Sequence, residues 1–298
     1  MMHLLSAVVL AFTPSGDLVG DLEKRLGSLA SAHKGKVAYA LKHLVTGETI
    51  FHNADAVMPT ASLIKLAIMA EVYAQVNEKK LKIDEMLTLT KEEMVQGSGI
   101  LNDHFSPGAQ FTLRDAVRLM IVYSDNTATN MVLDKTGIKA VNERMAALAM
   151  QETRINAKVF KGSTTSIDPE RTKKLGLGST TARETLQLLE LLHKGELVSK
   201  DACKAMLEHL KKCDDKEKFP RFLPKVVSVA HKTGSVSNVR TDAGILYFKE
   251  GPVALVVLTN KNEDTSWSID NAGNKLCAEM AKAVVEYYRL HAKAKGKE

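Results

Sequence analysis

Aromatic residues are scarce in this 298-residue chain, at 5% with a single tryptophan, and no cluster of basic residues accompanies them. A surface that binds nucleic acid needs both, stacking rings beside a basic stripe. The net charge of +6 is spread along the sequence, and its one dense run lies in the tail from Lys293 to Lys297, so nucleic acid is excluded as a partner. Cysteine is equally sparse: Cys203, Cys213 and Cys277 form no Cys-x-x-Cys pair, and their odd number excludes a fully paired disulfide framework. The spacing of Cys203, His209 and Cys213 suits ordinary helix positions better than metal ligation, and neither metal nor cofactor is expected. No apolar run reaches the roughly 20 residues that span a bilayer. Oligomeric state leaves no mark on the sequence.

What is present is ordinary for a globular protein. With 45% hydrophobic and 26% charged residues, the chain is long enough to build one large or two smaller cores. Leu4 to Phe12 resembles the apolar centre of a secretory signal, although no lysine or arginine precedes it and no small-x-small cleavage site follows. Residues 1–16 are therefore a candidate signal segment, with a periplasmic or secreted location as the expectation.

From residue 17 the periodicity changes three times. Asp17 to His33 reads as an amphipathic helix, and Lys36–Leu41, Val45–Glu48 and Thr49–Phe51 as a β-hairpin. From Ser62 to about Leu192 the pattern is almost wholly helical. Strand patterns return at 226–230, 243–248 and 253–258, the last two joined by Glu250-Gly251, and a final helix spans about 269–290. The fold class expected is α+β: an antiparallel sheet flanked by N- and C-terminal helices, with an inserted all-α subdomain. The sheet subdomain is discontinuous, 17–59 with 199–291, the helical one covers 60–198, and 292–298 is a basic tail.

Three short polar constellations stand against this apolar background. In the first, Ser62 and Lys65 lie one helical turn apart at the start of a helix apolar on nearly every side, with Thr60 as its expected cap. A desolvated lysine has a lowered pKa, and a neutral amine beside a serine takes its proton. In the second, Ser124-Asp125-Asn126 makes a polar corner between two apolar helices, the first capped by Thr112 with Asp115 three residues on. The third, Lys-Thr-Gly, occurs twice. At Lys135-Thr136-Gly137 the glycine ends a helix, which explains it structurally. Lys232-Thr233-Gly234-Ser235 instead continues a strand, where it offers an ammonium, hydroxyls and backbone N–H groups to an acyl substrate bearing a carboxylate, and Gly234 would let that ligand approach the backbone closely.

Ser62-x-x-Lys65, Ser124-Asp125-Asn126 and Lys232-Thr233-Gly234, in this order, resemble the signature of the active-site serine penicillin-recognising enzymes, the class A β-lactamases and penicillin-binding proteins. Gly97–Leu101, Phe111–Asp115, Ser124–Asn130 and Thr180–Glu184 are similar to class A segments too, so the resemblance runs from about Asp17 to Leu290. It implies that Ser62 is the acylated nucleophile, Lys65 its base, Ser124 the proton relay to the leaving nitrogen and Lys232 the cation that tunes them. It further implies an oxyanion hole from the N–H groups of Ser62 and Ser235, Asn126 on the substrate's acylamino side chain, and Thr233, Gly234, Ser235 and Arg240 around its carboxylate. For Arg240 a solvated charge at a strand end is the competing account.

One departure from the family matters. Class A enzymes release the acyl group with a loop glutamate, and aligning Thr153-Arg154-Ile155 puts Val159 at that position. A shifted alignment offers Asp168-Pro169-Glu170, which also reads as a plain turn. Three readings follow. One is a β-lactamase-like serine hydrolase, with turnover slowed by the missing glutamate. Another is a penicillin-binding, D,D-peptidase-like or esterase-like hydrolase on β-lactams, D-alanyl peptides or small esters. The last is a non-catalytic peptidoglycan- or peptide-binding module.

Overall fold

The apolar run Val253 to Leu258 is buried at every position, because the sheet to which it belongs is covered on both faces. In the computed structural model, which describes the backbone of residues 18–295, five antiparallel strands are ordered β2-β1-β10-β9-β8. They are β1 (Lys36–His43), β2 (Thr49–His52), β8 (Ser228–Val236), β9 (Val239–Tyr247) and β10 (Val253–Asn260). The candidate signal segment lies outside the described residues, and the tail beyond Lys295 does too.

Strand side chains alternate between faces, and here the two sets differ in size. Val37, Tyr39, Leu41, Leu246, Val253, Leu255 and Val257 pack with Leu22 and Leu26 of α1 (Leu18–Ala32) and with Leu276, Met280 and Val284 of α11 (Ala272–Lys295). The opposite face carries Ala38, Ala40, Ala230, Ala243 and Ala254 beside Ile245, Val256 and Leu258, joined to the core of the helical region. Alanines there let helices come close, and α9 (Ala182–Lys194) lies directly on β1 and β10.

The helical region is built around α2 (Lys65–Asn77), buried from Lys65 through Gln75. Around it stand α4 (Leu113–Val122), α5 (Asn126–Thr136), α6 (Ile138–Ala147) and α10 (Lys200–Lys211). Thr112 caps α4 as expected, accepting from Asp115 N while its hydroxyl donates to the Asp115 carboxylate. Short strands interrupt the helices: β3 (Met58–Pro59) and β6 (Arg154–Ile155) flank β7 (Gly178–Thr180), and β4 (Met86–Thr88) pairs with β5 (Gln110–Thr112). The remaining short helices are α3 (Leu101–His104), α7 (Gly162–Thr165) and α8 (Pro169–Leu175). No helix among the described residues is long and apolar enough to cross a membrane.

Candidate active site

Ser62 does not open an α-helix. It sits in a 3₁₀ turn, Ala61–Ile64, that precedes α2, and Thr60 makes no side-chain cap. The Thr60 hydroxyl is instead buried without a partner. The turn is clamped from outside: Thr60 N donates to Gly178 O of β7, and the Thr241 hydroxyl donates to Thr60 O. Gly234 makes the clamp feasible. A Cβ there would stand 2.4 Å from Thr60 O and 2.9 Å from Leu63 N, so the glycine expected to admit a ligand admits the Ser62-bearing turn against edge strand β8. Ser62 is thereby held beside Ser235, and both line one cavity.

Lys65 is wholly buried and donates to Ser124 O at 2.7 Å, Ser124 Oγ at 3.2 Å and Asn126 Oδ1 at 3.0 Å. From the other side Lys232, also wholly buried, donates to Ser124 Oγ at 3.1 Å and to Thr233 O at 2.7 Å. One hydroxyl thus accepts from two amines, which leaves its own proton directed elsewhere. Burial, reinforced by the Lys232 charge and opposed by Asp125, holds the Lys65 amine well below the ordinary lysine range. Burial lowers Lys232 as well, with nearby acidic groups opposing.

The corner between α4 and α5 supports this geometry. Ser124 has φ +55°, a left-handed conformation uncommon for a residue with a side chain. Asp125 holds the corner: its carboxylate accepts from Ile100 N at 2.7 Å, Leu101 N at 2.9 Å and Ala128 N at 2.8 Å. Gly99, at φ +123°, packs so closely that an added Cβ would fall 2.3 Å from that carboxylate. The loop before α3 is therefore stapled to the corner, and Asn126 Nδ2 adds a bond to Gln96 O.

Two cavities meet at Ser62. One, of about 700 Å³, extends along Ser124, Lys232, Thr233 and Gly234 to Lys218 and Arg240. The other, of about 530 Å³, lies towards residues 157–177, with Asn126, Val159, Phe160 and Leu175 on its walls, and no acidic residue lines it. Val159 faces it, its backbone held by both ends of the Asn130 amide. Asp168 and Glu170 are elsewhere. Asp168 caps α8, accepting from Arg171 N, and Glu170 is exposed; both line a separate surface depression with Glu152 and Lys173.

Arg240 is neither a solvated charge nor a free anion receptor. It is 1% exposed, and its guanidinium donates to the carbonyls of Val236, Val239 and Ser266 while lying over the Trp267 ring. Lys135 forms a surface pair with Glu85, remote from Ser62. His209 Nε2 meets the Tyr73 hydroxyl at 2.8 Å rather than joining Cys203 and Cys213.

Two groups escaped the sequence reading. Lys218, 2% exposed, pairs with Asp215 at 2.7 Å on the wall of the larger cavity. Beneath Lys232, His231 Nδ1 meets Asp242 at 2.9 Å and its ring faces the Cys213 thiol. Burial disfavours the imidazolium, but Asp242 and Cys213 outweigh it and push His231 up to about 10. An Asp-x-x-Lys run ahead of a strand, and a histidine inside one, were the only visible signals.

The model of the Beta-lactamase enzyme family matches residues 21–288. Beta-lactamase 3 of Bacillus cereus is 26% identical over 248 residues, 82% of this chain and 74% of that protein. A beta-lactamase of Streptomyces cellulosae is 27% identical over 246 residues, 80% and 76% of the two chains. Among solved structures, a beta-lactamase from Sphaerobacter thermophilus superposes with a TM-score of 0.80 at 28% identity, covering 91% of this chain and 98% of that one. A mutant of PBP-A, solved as its acyl-enzyme complex with penicillin G, gives 0.78 at 25% identity over 92% and 97%.

Proposed function

The chain belongs to the beta-lactamase enzyme family, and on that premise we propose that it is a serine hydrolase that opens β-lactam amides through an acyl-enzyme on Ser62 and releases the acyl group slowly. The observation that carries the reading is the Ser124 hydroxyl held at 3.2 and 3.1 Å between two buried amines, Lys65 and Lys232.

A neutral Lys65 takes the Ser62 proton as the oxygen's lone pair forms a bond to the acyl carbon. The N–H groups of Ser62 and Ser235 receive the developing oxyanion. The C–N bond then breaks, the Ser124 proton passes to the leaving nitrogen, and Lys65 returns its proton to Ser124. Asn126, Thr233, Gly234 and Ser235 border the substrate on the two sides of Ser62. Hydrolysis of the ester requires a base that activates water, within about 3 Å of it. The loop-side cavity has no acidic residue in its lining, and this favours a long-lived acyl-enzyme. The same chemistry extends to D-alanyl peptides and small esters. The candidate signal at residues 1–16 supports export, to the compartment where such substrates are met.

Time-resolved intact-mass spectrometry with a penicillin, run beside the absorbance of a chromogenic cephalosporin, tests the reading. An adduct that persists with little turnover is expected, and Ser62→Ala removes it. Labelling that survives in Ser62→Ala overturns the nucleophile assignment; rapid turnover with no lasting adduct overturns the slow release.

A further inference from the structure

Four cations line the larger cavity, and each is already engaged, Lys216 through the Cys213 carbonyl. Lys232 serves Ser124 and the Thr233 carbonyl. Arg240 serves four backbone carbonyls. Lys218 is paired with Asp215, whose Oδ2 lies 2.7 Å from Nζ and whose other oxygen accepts from Glu217 N at 2.9 Å. Lys218 is buried while the Asp215 carboxylate retains about a quarter of its surface, 24%, so of the two groups on the cavity wall the anion is the more accessible. Burial resists its ionisation, but the Lys218 charge, the Glu217 N–H and the Thr233 hydroxyl hold the carboxyl well below the usual range. A carboxylate of the protein therefore rests beside the Thr233 hydroxyl, where a carboxylate of the substrate is expected.

Resting on the serine acyl-transfer reading above, we infer that Asp215 is a specificity-determining residue whose own carboxylate fills the cationic subsite next to Thr233, so that acyl donors uncharged on the leaving-group side are favoured over donors bearing a carboxylate there. The physical cause is like-charge repulsion in a partly desolvated cleft, where two anions a few ångströms apart interact far more strongly than in bulk water. The substrate class indicated is neutral esters and amides, with free-acid β-lactams acylating Ser62 more slowly.

A matched pair decides it: one penicillin as the free acid and as its methyl ester, with second-order acylation rates read by intact mass. In the unaltered protein the ester is expected to react at least as fast as the acid. In Asp215→Asn, which keeps an acceptor for Glu217 N, the acid-to-ester ratio is expected to rise about tenfold or more, with the gain shrinking at high salt. A ratio of ten or more favouring the acid in the unaltered protein overturns the inference without any variant. A ratio that moves less than twofold in Asp215→Asn overturns it while leaving Ser62 acylation intact. No adduct from either compound overturns the serine reading and this inference with it.

Discussion

On one side of Ser62, side chains from α2, the α4–α5 corner and β8 meet within hydrogen-bonding distance; on the other, residues 157–177 offer mostly apolar side chains and a backbone held in place by Asn130. The first wall joins two buried amines, a hydroxyl and an amide through bonds of 2.7 to 3.2 Å. The second holds Val159 by its main chain and turns Asp168 away to cap α8. In the proposed mechanism the base, the relay and the tuned cation that form the acyl-enzyme all lie on the first wall. Releasing it needs a base facing the ester, and the second wall offers no carboxylate. The two half-reactions of one enzyme are thus separable in space, and substitutions on either wall should move one rate and spare the other.

The largest effect is expected from Lys65→Ala. Acylation should fall by about 10³ to 10⁴, as for a member of a concerted catalytic unit, with stopped-flow or intact-mass rates as the readout. On the proposed role of the neutral Lys65 amine as base, with its pKa lowered, acylation should rise with pH through a midpoint well below the ordinary lysine value of 10.5. A midpoint near that value would remove Lys65 from the role of base.

Next is the layer beneath the first wall. His231→Gln leaves the buried Asp242 carboxylate without its cation and should cost about 3 to 5 kcal/mol in denaturant unfolding. The sign of the pH dependence follows from the raised pKa. The stability carried by the charged imidazole is complete below 6.5, its ordinary value, and is lost as pH rises through about 10. The substitution should flatten that alkaline decline, and an unchanged slope would show that another group causes it.

Val159→Glu tests whether the second wall is deficient only in its carboxylate. Val159 is 8% exposed and faces the cavity that Ser62 borders, so a glutamate there should speed release of the acyl group by about 10² or more while leaving its formation within a few-fold. Loss of the persistent adduct, with a matching gain in cephalosporin turnover, is the outcome expected. An adduct equally long-lived in the variant would mean that the wall also fails to position water.

The sequence revealed the first wall far better than its supports. Ser62, Lys65, Ser124 and Lys232 are legible because each belongs to a short run whose spacing is local. The α2 pattern marked a buried helix, and alternation marked the hairpins. What spacing cannot convey is which distant backbone approaches a given glycine. Gly234 read as an opening for ligand, whereas its missing Cβ admits the Thr60 carbonyl. Thr60 read as a helix cap, but the strands on either side draw Ala61–Ile64 into a 3₁₀ turn. The Asp215–Lys218 pair is local in sequence but went unread, because its place on the cavity wall with Thr233 depends on the sheet edge. Arg240 read as a carboxylate ligand or a solvated strand end, because the carbonyls of Val236 and Ser266 that enclose it come from the end of β8 and from a distant loop.

The smallest effect belongs to the residue whose sequence context was the more suggestive of the two alignments. Asp168 stands in an acid-Pro-acid run, and a catalytic carboxylate there would make Asp168→Ala a severe lesion in acyl release. Its carboxylate instead accepts from Arg171 N, with Pro169 as the first residue of the helix it caps. Removing such a cap costs about 1 kcal/mol, and the cost falls on α8, which borders the cavity through Leu175 and Thr172. Asp168→Ala should therefore lower the thermal midpoint by a few degrees and leave the acyl-enzyme lifetime within about twofold. A lifetime lengthened tenfold or more, at unchanged acylation, would bring a carboxylate back to the second wall and end the contrast between the two.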